Sequence, residues 1–80
     1  MDWTLAQAKL DFERGLLKEV RIVANPGDTW MVRIKSALPL DGEGWLIDAK
    51  RKQERQLKTL DAAVEVIQQI GFQVKQLKVE

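Results

Sequence analysis

Few residues of this chain could carry out catalytic chemistry. Its 80 residues include no histidine, no cysteine and no tyrosine. Proton transfer in enzymes most often uses histidine, and Ser36 has no histidine base to activate it, so a catalytic triad is excluded. The absence of cysteine removes disulfides and thiolate–metal sites as well. We therefore predict a protein that is not an enzyme, needs no cofactor and has no small-molecule substrate.

Two glycine-bearing turns are the remaining candidates for chemistry. The sequence DGEG at 41–44 offers two carboxylates that a hydrolase could use with a metal or as an acid–base pair. A calcium loop needs a longer run of oxygen ligands. The sequence NPGD at 25–28 lacks the Gly-x-x-x-x-Gly-Lys pattern of a phosphate-binding loop. We interpret both segments as solvated turns and predict no metal site.

Basic residues give a stronger functional signal. The net charge is only +1, so the distribution of charge matters more than its sum. Basic side chains fill the segment 50–58, where only Glu54 opposes them, and others alternate along the predicted strands. Lysine and arginine bind phosphates, and a sheet can enter the major groove of DNA. The candidate nucleic-acid contacts are Arg21, Arg33, Lys35, Lys50, Arg51, Lys52 and Arg55.

Apolar side chains interrupt the same predicted outward faces, and a half-apolar sheet face can mark a protein interface. The candidate interface residues on these faces are Val23, Met31 and Leu46. Leu77 and Val79 are further candidates, because the C-terminal strand, if it is an edge, could pair with a second copy. These candidates favour a partner protein or a homodimer, and a small chain gains stability from a dimer.

Trp30 and Trp45 share a phase with aliphatic neighbours and are assigned to the core. They would have to face outward to stack on single-stranded bases.

In the first half of the chain, a predicted helix and a predicted hairpin would position the candidate residues. Thr4 and Gln7 form a capping-box pattern and Gly15 can end a helix, which predicts a helix over 4–14. Two alternating segments then flank the turn at 25–28 and predict an antiparallel hairpin. Its predicted buried side chains are Val20, Ile22, Ala24, Trp30, Val32 and Ile34.

The second half of the chain predicts a third strand, a helix and a last strand. In WLIDAK, residues 45, 47 and 49 are assigned to the core side and residues 46, 48 and 50 to the outward side. The segment 55–58 is a candidate short returning strand. Thr59 caps a helix that ends at Gly71. The last strand, over 72–79, changes phase and suggests a bulge near 75–76.

The predicted fold is one α+β domain over 1–80. Its order is helix, a three- to four-stranded antiparallel meander, helix and C-terminal strand, with both helices packed on one face of the sheet. No apolar run is long enough to span a bilayer, and residues 1–14 lack the apolar core of a signal peptide. We expect a cytoplasmic protein that makes no membrane contact.

Three segments carry a resemblance to a known family: AKLDFERGLLKEVRIV, GWLIDAK and KTLDAAVEVIQQIGF. With them the chain resembles small partition-associated proteins of the ParC type, found on bacterial plasmids and integrated mobile elements. The resemblance implies an accessory role in maintaining such an element, through contact with a partner protein or DNA. It implies no catalytic residue.

Two other arrangements are also similar. Three strands followed by a helix resemble the DNA readers of the arm-binding integrase and plant AP2 type. The order helix, three strands, helix resembles the double-stranded-RNA-binding domain. The second helix here begins TLDAAVE and lacks the lysines that this RNA-binding pattern expects. DNA is therefore favoured over RNA as the nucleic-acid alternative.

Overall fold

The computed structural model describes residues 1–39, 42–73 and 77–79. Two helices pack with a mainly antiparallel sheet, so the predicted α+β class is confirmed. None of the helices in these ranges is long and apolar enough to cross a membrane. In chain order the elements are α1 Leu5–Glu13, β1 Leu17–Asn25, β2 Thr29–Ser36, β3 Glu43–Trp45, α2 Leu60–Ile70 and β4 Leu77–Val79.

Helix α1 begins and ends where its capping residues predict. The Thr4 hydroxyl accepts a hydrogen bond from the Gln7 amide, and the Gln7 side chain accepts one from the Thr4 amide. At the other end Gly15 takes a φ of 73°, and the Leu16 amide donates to the Asp11 carbonyl over 2.9 Å. This is a Schellman-type stop, which turns the chain directly into β1.

The hairpin of β1 and β2 forms the centre of the sheet. Val20 pairs with Ile34 and Ile22 with Val32, and all four side chains are fully buried. Side chains alternate between the two faces of a strand. These four therefore define the inner face, and the residues between them lie on the outer face. Ala24 was predicted to be buried, but it is exposed because it lies at the turn end of the hairpin.

The phase predicted for the third strand is wrong. Trp45 pairs with Arg33 and therefore lies on the outer face, while Gly44 pairs with Ile34 on the inner face. Leu46, predicted to face outward, is fully buried in the core. Gly44 has no side chain, so it contributes nothing to the apolar pattern from which the phase was predicted, and the strand was placed one residue out of phase.

The first three residues close the outer edge of the third strand. Trp3 is fully buried, and its amide donates to the Trp45 carbonyl over 3.0 Å. Its carbonyl accepts from the Ile47 amide over 2.8 Å, and its indole Nε1 donates to Asp11 Oδ2 over 2.9 Å. The pairing of Trp3 with Leu46 is parallel. One tryptophan thus joins α1, β3 and the core.

The segment 55–58 forms isolated bridges instead of a strand. Leu57 exchanges two backbone hydrogen bonds with Trp30, of 2.7 and 2.8 Å, and is nearly buried. The Arg55 amide donates to the Leu46 carbonyl over 2.9 Å. This segment therefore continues the sheet beside the start of β2, at the point where the third strand turns away towards Trp3.

Helix α2 covers the inner face. The Thr59 hydroxyl accepts from the Ala62 amide, and Asp61 places a negative charge in the first turn, where the helix dipole favours it. Gly71 ends the helix with a φ of 133°. Phe72 then packs edge-on against Phe12, with ring centroids 4.8 Å apart. The buried stripe consists of Ala63, Val66, Ile67 and Ile70.

The sheet order is β3-β2-β1-β4, and β4 runs parallel to β1. In this register Leu77 and Val79 lie beside Val20 and Ile22, and Lys78 lies beside Arg21. The bulge predicted near 75–76 lies outside the described residues. Both helices contact the inner face and share one core with it. The outer face is thus the side of the sheet opposite both helices.

Gly44 provides a test of the N-terminal closure. A Cβ at this position would overlap the carbonyl group of Met1, whereas a Cβ at Gly27 would meet nothing within 4 Å. Gly44→Ala should therefore lower the free energy of unfolding by about 1–3 kcal/mol, as overpacking does. Gly27→Ala should stay within about 0.5 kcal/mol of the parent. Urea unfolding followed by tryptophan fluorescence measures both, and equal stability of the two variants would contradict this closure.

Candidate functional site

The outer face is a lattice of ten partly buried side chains in four rows. Each row crosses neighbouring strands, because register partners lie side by side on one face. The rows are Glu19–Lys35–Glu43, Arg21–Arg33–Trp45, Val23–Met31 and Asn25–Thr29. Of the ten residues, sequence analysis had selected Arg21, Arg33 and Lys35 as nucleic-acid contacts and Val23 and Met31 as interface residues.

Glu43 holds the two arginines of this face together. Its Oε2 accepts from Arg21 Nη2 at 2.7 Å and lies 3.2 Å from Arg33 Nε. Glu19 Oε1 lies 3.9 Å from Arg21 Nε. One carboxylate from β3 thus bridges guanidinium groups on β1 and β2. The arginines are held by carboxylates of the same chain.

The environment of Glu43 favours its charged form. The hydrogen bond from Arg33 lowers the pKa of this carboxyl group, and the charges of Arg21, Arg33 and Lys35 lower it further. Partial burial opposes the shift without reversing it. Glu43 is therefore ionised across the neutral and mildly acidic range, so the bridge persists there.

Trp45 is a member of the outer face and not of the core. The Arg33 guanidinium carbon lies 4.8 Å from the centre of the Trp45 ring. A cation over an aromatic face is attracted by the ring quadrupole. Together with Glu43, this contact fixes Arg33 in one place on the sheet.

Apolar and amide groups complete the outer face. Val23 and Met31 are register partners and form an apolar row beside Arg33. In the next row the Asn25 amide nitrogen donates to Thr29 Oγ1 over 3.0 Å and to Gln56 Oε1 over 2.9 Å. Sequence analysis did not select these three polar residues. Asn25 and Thr29 could have been assigned to the outer face from the sequence, because each is two residues from Val23 or Met31 along its strand.

The other predicted basic contacts lie elsewhere. Lys50, Arg51 and Lys52 occupy an exposed turn organised by Asp48, whose Oδ1 accepts the Lys50 and Arg51 amides over 2.8 and 3.1 Å. The hydrogen bonds from the Arg51 and Lys50 amides lower the pKa of Asp48. The outward position predicted for Asp48 on a strand is thus replaced by a role in this turn.

Two depressions adjoin the basic turn, one beside α1 and one beside Gln56, which accepts a hydrogen bond from Asn25 of the outer face. Lys50 and Arg55 line a depression together with residues 4–6 at the start of α1. Arg51 and Arg55 line the other depression together with Gln56, and the seven predicted nucleic-acid contacts fall into two groups along the chain. Three lie on the outer face, and four lie in the segment 50–55.

The predicted interface residues also divide. Val23 and Met31 lie on the outer face as predicted. Leu46 cannot be part of an interface because it is fully buried. It lies in the core because the third strand is shifted by one residue from its predicted phase. The side chains of Leu77 and Val79 lie outside what the structure describes, although their backbone positions in β4 are defined.

The residues considered for catalysis have structural partners. The Ser36 hydroxyl donates to the Leu16 carbonyl and accepts from the Leu38 amide, and the side chain is nearly buried. Glu43 is occupied by the two arginines, and Asp41 lies outside the described residues. In the described ranges no group of three His, Cys, Asp or Glu residues could hold a metal ion.

Comparisons of the chain with protein-family models, with curated proteins and with solved structures find no match. The resemblance to partition-associated proteins therefore stays a prediction.

The Glu43 bridge predicts a specific pH dependence of stability. A carboxyl group whose folded pKa is depressed stabilises the fold above its unfolded pKa, and this stabilisation is lost as the pH falls through the folded pKa. Glu43→Gln should lower the urea midpoint at neutral pH and should reduce its further fall at acidic pH. Glu65→Gln is the control, because it removes an exposed carboxyl group on α2, leaves the bridge intact and should keep the parent's urea midpoint at neutral pH.

The bridge would be contradicted if Glu43→Gln unfolded at the parent's urea concentration at both pH values. It would also be contradicted if parent and variant lost stability in parallel on acidification. Matched far-UV circular dichroism spectra at neutral pH ensure that the comparison is between folded proteins.

Proposed function

We propose that this chain is a small, non-enzymatic, cytoplasmic accessory protein that acts through protein contact made by its outer face. The observation that carries the proposal is the apolar row of Val23 and Met31 beside the Arg33–Trp45 pair, on the side of the sheet opposite both helices. The inner face already has its covering of helices. The outer face carries no helix of the described ranges and is therefore the face of the sheet on which a partner could bind.

The composition of this surface supports a protein partner. Tryptophan, arginine and methionine are enriched at the centres of protein interfaces, and tryptophan and arginine supply many of their energetic hot spots. Glu43 and Trp45 hold Arg33 in place before any partner arrives. A side chain that is already ordered loses less entropy on binding.

The charge of the outer face supports the same proposal. Its three basic residues, Arg21, Arg33 and Lys35, stand among two acidic ones, Glu19 and Glu43. Affinity for nucleic acid depends largely on unopposed positive charge that can replace counterions at phosphates. A mixed face of this kind is better suited to a protein surface with both charges.

The link to a bacterial plasmid or mobile element depends on the resemblance alone and is proposed on that basis. The neighbouring genes test it: a partition ATPase or a replication operon next to this gene is the expected arrangement. Neighbours of unrelated function in several genomes that carry the chain would overturn the link. They would leave the protein-contact proposal unaffected.

Site-specific cross-linking tests the contact surface. A photoreactive phenylalanine analogue placed at Met31 should form cross-links to polypeptide in cells of the source organism. The same analogue at Gln68, on the exposed side of α2, should give none of these products. Mass spectrometry of the cross-linked bands identifies the polypeptide. Products that contain only nucleic acid, or identical products from both positions, would contradict the proposed protein contact.

The alternative function is a sheet-based nucleic-acid-binding domain, with DNA favoured over RNA. One observation favours it: Trp45 lies on the outer face, where its ring could stack on an unpaired base. Against it stands the pairing of Arg21 and Arg33 with Glu43.

Fluorescence anisotropy at two salt concentrations separates the two functions. Labelled random duplex and single-stranded DNA should show no saturable binding to the parent protein at low salt. Salt-sensitive binding that weakens in Arg33→Ala would establish the outer face as a nucleic-acid site. Weakening only in Lys52→Ala would locate the contact in the basic turn, so the pair of variants identifies which group binds.

A further inference from the structure

We propose that the partner of the outer face is a second copy of this chain, in a two-fold symmetric dimer of apposed sheets. The inference rests on the proposed function and adds the identity of the occupant. The symmetry axis lies in the plane of contact, perpendicular to the strands, and passes over the Val23–Met31 row. The order of the four rows leads to this arrangement.

Rotation about this axis places each strand over the same strand of the other copy and reverses the order of the rows. Val23 and Met31 of one copy then meet Val23 and Met31 of the other. Residues on one face of a strand repeat about every 6.4–6.8 Å. The rows on either side of the axis are therefore brought over each other.

These two flanking rows are chemically complementary. The row of Arg21 and Arg33 lies over the row of Asn25 and Thr29 of the other copy. A guanidinium group only donates hydrogen bonds, whereas amide and hydroxyl oxygens accept them. The Asn25 nitrogen already donates to Thr29 and Gln56, so its side-chain carbonyl oxygen is the atom of this amide that would accept from the other copy.

The alternative two-fold axis, parallel to the strands, is unfavourable. Wherever it passes, it preserves the rows and so places the Arg21–Arg33 row over the same row of the other copy; an axis over β2, for example, places Arg33 over Arg33 and Lys35 over Lys35. Like charges facing each other across an interface cost several kcal/mol. The perpendicular axis avoids both contacts and moves the Glu19–Lys35–Glu43 row to the solvated rim. The charge pattern thus selects one of the two ways of apposing the sheets.

Chemical cross-linking tests the axis directly, because the chain has no cysteine and a single introduced thiol is unambiguous. Met31→Cys places two thiols across the axis in sheets that pack about 10 Å apart. A short bis-maleimide reagent should convert this variant into a covalent dimer on a denaturing gel. Lys9→Cys, on the exposed side of α1, should stay monomeric under the same conditions.

Light scattering tests the dimer itself. The parent protein should show twice the 9.2 kDa mass of the chain, and Met31→Lys should show the single mass because it buries two unpaired charges at the axis. Leu10→Lys, at an exposed position on α1, should keep the double mass. Far-UV circular dichroism confirms that each variant is folded.

Each outcome is decisive. A parent protein that stays at the single mass at all concentrations overturns the dimer, as does a dimer that Met31→Lys leaves intact. A monomer whose position 31 cross-links in cells to a different polypeptide overturns the self-association and leaves the proposed function standing. Absence of polypeptide cross-links at position 31 removes the proposed function as well.

Discussion

The structure depends on one constraint, the two-residue alternation of side chains along the central hairpin. Val20, Ile22, Val32 and Ile34 are fully buried, and both helices pack over them. The burial of each such side chain contributes about 1.5–3 kcal/mol. A slip of one residue in the register of either strand would expose two of the four. The register that buries these four residues therefore also determines which side chains lie on the outer face.

Sequence reasoning succeeded where local chemistry and alternation agree. The capping box at Thr4, the glycine stops at 15 and 71 and the phase of the hairpin were all readable from residue types. It failed at the third strand. Gly44 has no side chain and gives no hydrophobic signal there, while Trp45 and Ile47 have the apolar side chains expected of core residues. Their surroundings depend on Trp3, a residue more than forty positions away, which no local pattern includes.

The same failure explains how much of the candidate site could be predicted. Arg21, Arg33, Val23 and Met31 were located correctly because they belong to the hairpin. The bridge by Glu43 and the stacking of Arg33 on Trp45 depend on the phase of the third strand. Sequence alone therefore showed a basic face, whereas the three-dimensional arrangement converts it into a mixed face with paired charges. This pairing of charges supports the proposed protein contact, which the sequence had already ranked above nucleic-acid binding.

The edges of the sheet bear on how it can associate. Unpaired strand edges are the usual route by which sheets add to one another. Here residues 1–3 pair with the third strand and close that edge, and Asp2 Oδ1 also accepts from the Trp45 amide over 2.9 Å. At the opposite edge, the described part of β4 is Leu77–Val79. For the proposed dimer, the outer face therefore offers ten side chains in a fixed lattice, whereas the edge at the third strand is already paired within the chain.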